Sequence, residues 1–220
     1  MLTFDFDAEK HLYTVGGEVW PSNTQLLKEF GLLDFSNVPT DRLEYKRILG
    51  TRVHKACEIL ANCQVLDEDE IKELMPEIIP YVDAYRKFRE IHDFEPNFIE
   101  HRMVSKKWRF GTTLDQQGPF NGVETMLEIK CSWEVYKANG PQTAGQEIAF
   151  TEETGIKIKR RVVLQLKENG NFELHECEDR ADFNDFLACV VLHWRKRNVY
   201  KTRSEHINHH RCELQKGRGL

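Results

Sequence analysis

Apolar and polar positions alternate through "LTFDFDAEKHLYTVGGEVW" and turn at "VGGE", which predicts a β-hairpin. The spacing becomes helical in "PSNTQLLKEFGLL", where Ser22, Asn23 or Thr24 caps a short helix and Gly31 ends it. "RLEYKRILGTRVHKACEILANC" keeps that spacing, and its working part is expected over 51–62, opened by Gly50-Thr51. "DEDEIKELMPEIIPYVDAYRKFREIHDF" predicts a second helical region that Pro76 and Pro80 split. Its apolar stripe is Tyr81, Ala84, Tyr85, Phe88 and Ile91.

After "EPN" the period falls to two. "FIEHRMVSKKWRFGTTLD" reads as one or two strands, "GPFNG" as a turn and "VETMLEIKCS" as the next strand. "PQTAGQEIAFTEETG" is helical and stops at Gly155, "KIKRRVVLQLKENGNFELHEC" is a hairpin around "ENGN", and "DRADFNDFLACVVLHWRKRNVY" is a capped amphipathic helix. The order predicts an α/β fold, a mixed β-sheet flanked by helices with an N-terminal β-hairpin. One domain over 1–205 is expected, with a polar, flexible tail at 206–220.

The 220 residues are 40% hydrophobic and 30% charged, which suits one domain with a real core. No run of about 18 apolar residues is present. The start, "MLTFDFDAEKH", lacks a basic-then-apolar leader, so a soluble, cytoplasmic protein with no membrane partner is expected. The net charge of −5 argues weakly against a nucleic-acid partner. The charge is unevenly placed, however: "LDEDEIKELMPE" is acidic, while "KIKRR" and "RKRNVYKTR" are basic. The six cysteines form no CxxC pair, so neither a zinc ribbon nor a disulfide framework is expected.

Glu128 and Lys130 stand on an apolar strand. Residues two apart share a strand face, so both charges emerge together. A buried ion pair is a poor stabiliser, which points to chemistry instead. Asp115 precedes the "QQGPFN" connection and is expected to end the previous strand, facing Glu128 across the pair. Two carboxylates and a main-chain carbonyl make an oxygen-rich site for Mg2+ or Mn2+. Lys130 is placed to hold or deprotonate a water, or to bind a scissile phosphate. In "GTRVHKACE", His54 and Glu58 lie four apart on one helical face, and a histidine there is a further metal-ligand candidate.

This set resembles the PD-(D/E)XK nuclease superfamily, and within it the RecB-type and phage exonucleases. "HLYTVGGEVWPSNTQLLKEFGL" is similar to the opening hairpin and capped helix of phage members, and "GTRVHKACE" to the helical motif with its histidine. "FIEHRMV" is similar to the strand that bears a glutamate, "TTLD" and "EIK" to the Asp and (D/E)xK, and "QTAGQEIAF" to the helix that follows. The resemblance implies a restriction-endonuclease-like core and a metal-dependent DNA exonuclease of phage recombination, repair or end processing. It implies His54, Asp115, Glu128 and the Ile129 carbonyl as metal ligands, Lys130 for the water, and Gln142 at the active site or DNA. Glu58 and Glu100 become candidates for a second metal or for supporting the ligands. DNA is the implied partner, with a single-strand annealing protein or a helicase as further partners. Some relatives form rings, so a homo-oligomer stays open, and a phage origin would place the protein in a bacterial host cell.

Some residues depart from the family pattern. Thr112 stands where the family often has glycine, and Gln142 is followed by Gln146 where it often has tyrosine. Cys177, Cys189 and Cys212 are spaced too widely for the iron–sulfur cluster of some relatives, so none is expected. Trp20, Trp108, Trp133 and Trp194 are read as core or rim residues, with base stacking as the alternative. "KIKRR" is read either as a track for a phosphate backbone or as a solvated edge strand, and "HINHH" as part of the polar tail. Competing readings are an inactive DNA-binding module on the same fold, a sequence-nonspecific endonuclease, and a phosphohydrolase acting on nucleotides.

Overall fold

The computed structural model describes residues 3–8, 10–64, 66–67, 69 and 75–200. The expected tail, "HINHH", Cys212 and residues 70–74 of the second helical region lie outside the described residues.

The N-terminal segment forms three antiparallel strands, β1 (Phe4–Asp7), β2 (Leu12–Val15) and β3 (Glu18–Trp20). The expected hairpin is β2–β3, closed by Gly16 and Gly17 at φ of 58° and 83°. A third strand joins it because the chain also reverses before His11, where Asp7 Oδ1 accepts from the Lys10 amide at 3.0 Å. The sheet rests on Gly111: a Cβ there would run into the Tyr13 ring. The Tyr13 hydroxyl meets Thr113 Oγ1 at 2.8 Å.

Helix α1 (Asn23–Glu29) opens with a full capping box, in which Ser22 Oγ accepts from the Gln25 amide at 3.2 Å and Gln25 Oε1 from the Ser22 amide at 2.9 Å. Helix α2 (Thr40–Ala61) is much longer than the expected 51–62, passing Gly50 without a break. A 3-10 turn at Pro76–Ile78 leads into α3 (Ile79–Ile91), whose Tyr81, Ala84, Tyr85 and Phe88 are buried as the stripe predicts. Ile91, at its end, is exposed.

The main sheet holds β4 (Phe98–Ser105), β5 (Phe110–Phe120), β6 (Val123–Lys130), β7 (Arg160–Leu166) and β8 (Phe172–Glu176), in that spatial order. Only β6 and β7 pair in parallel, and α4 (Asn139–Thr154) makes the crossover that such a pair needs. Gly155 ends α4 in the left-handed region at φ 73°. Helix α5 (Ala181–Arg195) follows β8 and runs into a π-helical turn at Lys196–Tyr200. The mixed α/β architecture expected from the sequence is therefore present. Among the described residues no helix is long and apolar enough to cross a membrane.

Two local expectations are corrected. "GPFNG" is not all turn: β5 runs to Phe120, and only Asn121 and Gly122, at φ of 50° and 76°, turn the chain. Asp115 therefore sits inside β5 rather than at its end. Nor is "KIKRR" followed by an edge strand, since β7 lies between β6 and β8. Arg161 is 6% exposed and donates to the Gly140 carbonyl at 2.9 Å and to Asp182 Oδ2 at 3.1 Å. Its guanidinium ties α4 and α5 to the sheet.

The sheet has a core on each face. One gathers Val53, Cys57, Tyr85 and Phe88 of α2 and α3 over Leu127, Ile129, Val162 and Leu164. The other gathers Leu26, Phe150 and Phe186 of α1, α4 and α5 over Met103, Phe110, Leu114 and Met126. Strand β6 alternates between them, so Glu128 interrupts a run of apolar contacts.

Candidate active site

Strand register sets three carboxylates in a row. Ile99 pairs with Gln116 and His101 with Leu114, which brings Glu100 opposite Asp115. Gln116 pairs with Leu127, and one step further along the same register Asp115 faces Glu128. The ladder ends there, however. The Ile129 amide donates instead to Asp115 Oδ2 at 2.6 Å, so a side chain takes the place of a strand carbonyl. On the other flank Glu100 has φ 46°, the left-handed region, and drops out of the ladder with β5. A non-glycine residue held there stores strain of about 1–3 kcal/mol, a feature that collects at functional sites.

Helix α2 delivers His54 over this row. Its Nδ1 lies 3.4 Å from Asp115 Oδ1 and 3.6 Å from Glu100 Oε1. One ligand atom from each of His54, Glu100 and Asp115 falls within a span of 4.8 Å. An imidazole and two carboxylates are a donor set that Mg2+ tolerates and Mn2+ accepts well, so the residues fit a divalent cation. Of the residues expected to hold metal, the structure thus brings His54 and Asp115 together and adds Glu100. Glu58 lines the same cleft, but its carboxylate pairs with Lys55 at 2.8 Å.

Glu128 stands beside the triad and is held from the opposite side of the sheet. It is 2% exposed. Its Oε1 accepts from Lys130 Nζ at 2.5 Å and from Gln142 Nε2 at 2.6 Å, and its Oε2 from Gln146 Nε2 at 2.7 Å. Gln146 also donates to the Thr113 carbonyl at 3.0 Å, linking α4 to β5. Gln142 and Gln146 are one helical turn apart and grip the two oxygens of one carboxylate. The sequence reading passed over Gln146 as a departure from the family pattern. The signal that would have found it is the i, i+4 glutamine pair itself. The Asn23 amide holds α4 in place by donating to the Gln142 carbonyl at 2.8 Å.

Electrostatics follow from this packing. Burial opposes charge on His54, but Asp115 and Glu100 outweigh it and hold the imidazole well above its usual value. Burial pushes the Asp115 carboxyl up, and His54 and Lys130 more than reverse that. Glu128 goes the other way: burial and the Asp115 charge raise it, against Lys130 and Gln146. For Lys130, burial is outweighed by Glu128 and Asp115, and the ammonium is stabilised.

The row opens into a cleft of about 950 Å³. Lys28, Arg47, Lys55 and Arg102 line it beside Glu58, Glu100, Asp115 and Glu128, with Lys55 paired to Glu58 at 2.8 Å and Arg47 to Glu44 at 2.7 Å. A carboxylate row with basic side chains beside it suits an anion that meets a bound cation.

No protein-family model matches the chain, and no curated protein matches it. Among solved structures, an alkaline exonuclease from Laribacter hongkongensis aligns with a TM-score of 0.40 and 11% identity, over 88% of this chain and 93% of that one.

Proposed function

We propose that this chain is a divalent-metal-dependent deoxyribonuclease that degrades linear DNA as an exonuclease. The row Glu100–Asp115–Glu128, with His54 above it and Lys130 beside it, carries the reading. When bound, Mg2+ or Mn2+ supplies Lewis acidity toward the scissile phosphate and acidifies its water. His54, Asp115 and Glu100 would hold it, with Glu128 and the Ile129 carbonyl as the further ligands expected from the sequence. Lys130 orients the attacking water or the phosphate as a cation. Gln142 and Gln146 fix the Glu128 carboxylate. In-line attack of water on phosphorus would form the new P–O bond and break the bond to the 3′-oxygen or 5′-oxygen, with the water's proton passing to solvent and the leaving oxygen taking one from it, and no covalent intermediate on the protein is needed.

The same reading takes 1–205 as one nuclease domain. Work in phage recombination, repair or DNA end processing, beside an annealing protein or a helicase, is consistent with it.

The test is degradation of end-labelled single- and double-stranded linear DNA beside a covalently closed circle, with Mg2+, Mn2+ or chelator. Loss of linear DNA alone, dependent on metal and absent in Glu128→Ala, is expected. Cutting of the circle would make the protein an endonuclease. DNA binding without cleavage by any metal would make it a binding module.

A further inference from the structure

Trp133 is the most exposed large apolar side chain among the described residues, at 94%. It stands three residues after Lys130, on the turn that leaves β6. That turn is not loose. Gln165 of β7, 3% exposed, donates its Nε2 to the Ser132 carbonyl at 2.8 Å and to the Trp133 carbonyl at 2.9 Å. His175 meets the other end of the Gln165 amide at 3.1 Å. The fold fixes the backbone of Trp133 from beneath and leaves its indole in water. An indole held out in this way offers an open aromatic face for stacking.

A second groove, of about 490 Å³, runs past this indole. It is continuous with the acidic cleft, because Lys28, Gly50, His54 and Gln142 line both. Phe35 and Tyr136 line it too and meet edge to face, with ring centroids 6.4 Å apart. Lys28 and Arg42 supply its charge, with Lys46 beside them paired to Glu168 at 3.1 Å, and no carboxylate among the described residues is in its lining, although the chain as a whole carries −5. Arg42 makes no ion pair among the described residues. Aromatic faces between cations, without acid, match a polyanion whose rings are free to stack. An unpaired nucleotide strand has both properties, whereas the bases of a duplex are stacked on one another already.

We infer that this groove binds unpaired nucleotides of the DNA strand. Bases stack on Trp133 and Tyr136, and the phosphates follow Lys28 and Arg42 toward Glu128. The assignment of the strand as substrate rests on the nuclease reading above; the stacking site itself does not.

The test is fluorescence anisotropy of a dye-labelled oligothymidylate on the full chain, with chelator present so that nothing is cut. A blunt duplex of equal length is the comparison. Trp133→Ala is expected to weaken oligothymidylate binding by about 5- to 150-fold, with much of the loss recovered in Trp133→Phe. Duplex binding is expected to change far less. Arg42→Gln is expected to lower the salt slope of single-strand binding by about 0.7. The exposure of Trp133 lets these variants fold, which circular dichroism checks. Unchanged affinity in Trp133→Ala would overturn the inference. So would a switch from dimer to monomer in that variant with binding intact, since the groove would then seat a second copy of the chain. Metal-dependent cleavage by the wild type is scored separately. Cleavage with unchanged Trp133→Ala binding sinks the groove alone, and weakened binding without any cleavage sinks the nuclease reading alone.

Discussion

The Ile129 amide donates to Asp115 Oδ2 at 2.6 Å at the point where β5 and β6 stop pairing. One oxygen of Asp115 thus completes the sheet, and the other, 3.4 Å from His54, faces the cleft. The two duties separate by mutation. Asp115→Ala leaves a buried amide without an acceptor and should cost about 1–3 kcal/mol. Asp115→Asn keeps an oxygen for Ile129 and loses only its charge opposite His54, so it should melt above Asp115→Ala, yet its neutral side chain should abolish cleavage. Thermal melts beside nuclease assays check this. Equal destabilisation in both variants would mean that the Ile129 bond adds nothing.

Gln146 grips Glu128 at 2.7 Å and the Thr113 carbonyl at 3.0 Å. It orients a candidate ligand, and losing such a partner typically lowers metal affinity or activity by about 10- to 100-fold. Gln146→Ala should fall in that range, while Gln146→Glu, which sets a second carboxylate against Glu128, should fall further. Metal titration by calorimetry reads the effect without turnover.

Glu100 occupies the left-handed region at φ 46° and sets its carboxylate 3.6 Å from His54. Burial, with the Asp115 and Glu58 charges behind it, raises the Glu100 carboxyl, although His54 pulls the other way. The side chain is therefore an expense to the fold. Glu100→Gly removes the backbone strain and one of the crowded charges, and should stabilise the metal-free protein by about 1 kcal/mol. Glu100→Ala keeps the strain and should gain less. Both should bind metal more weakly, so denaturant melts and metal titrations would move in opposite directions.

The site was legible in sequence where period and identity agree. Glu128 and Lys130 stand two apart in an apolar strand, and the structure places both on the face that α4 covers. His54 falls on the helix that reaches the row. What escaped depends on tertiary contact. Gly118 and Pro119 read as turn residues, yet β5 accepts both: the chain at Glu95 packs directly against Gly118, and Pro119 pairs near the strand's end, opposite Glu124. The first half of α2 carries Leu43, Tyr45 and Ile48 but leaves them exposed, so its apolar positions do not mark a core face; Leu49 is its first buried residue. Arg161 looked like surface charge because nothing local reveals Asp182 and the Gly140 carbonyl waiting for it. The φ of Glu100 and the second contact of Gln146 have no local signal at all.

His54 makes the site sensitive to pH, and the sign can be worked out. Without metal, Asp115 and Glu100 hold its imidazole well above 6.5, so near neutral pH it is largely protonated. A cation can bind only neutral imidazole, so binding must expel that proton. Metal affinity should therefore rise with pH through neutrality and level off once the solution passes the raised His54 value. Calorimetry at pH 7 in two buffers of different ionisation enthalpy should show about one proton released per metal bound. His54→Gln, which has no proton to expel, should bind more weakly overall and show a flatter pH dependence. Proton release that persists undiminished in His54→Gln would place the titrating group elsewhere in the row and remove His54 from the metal site.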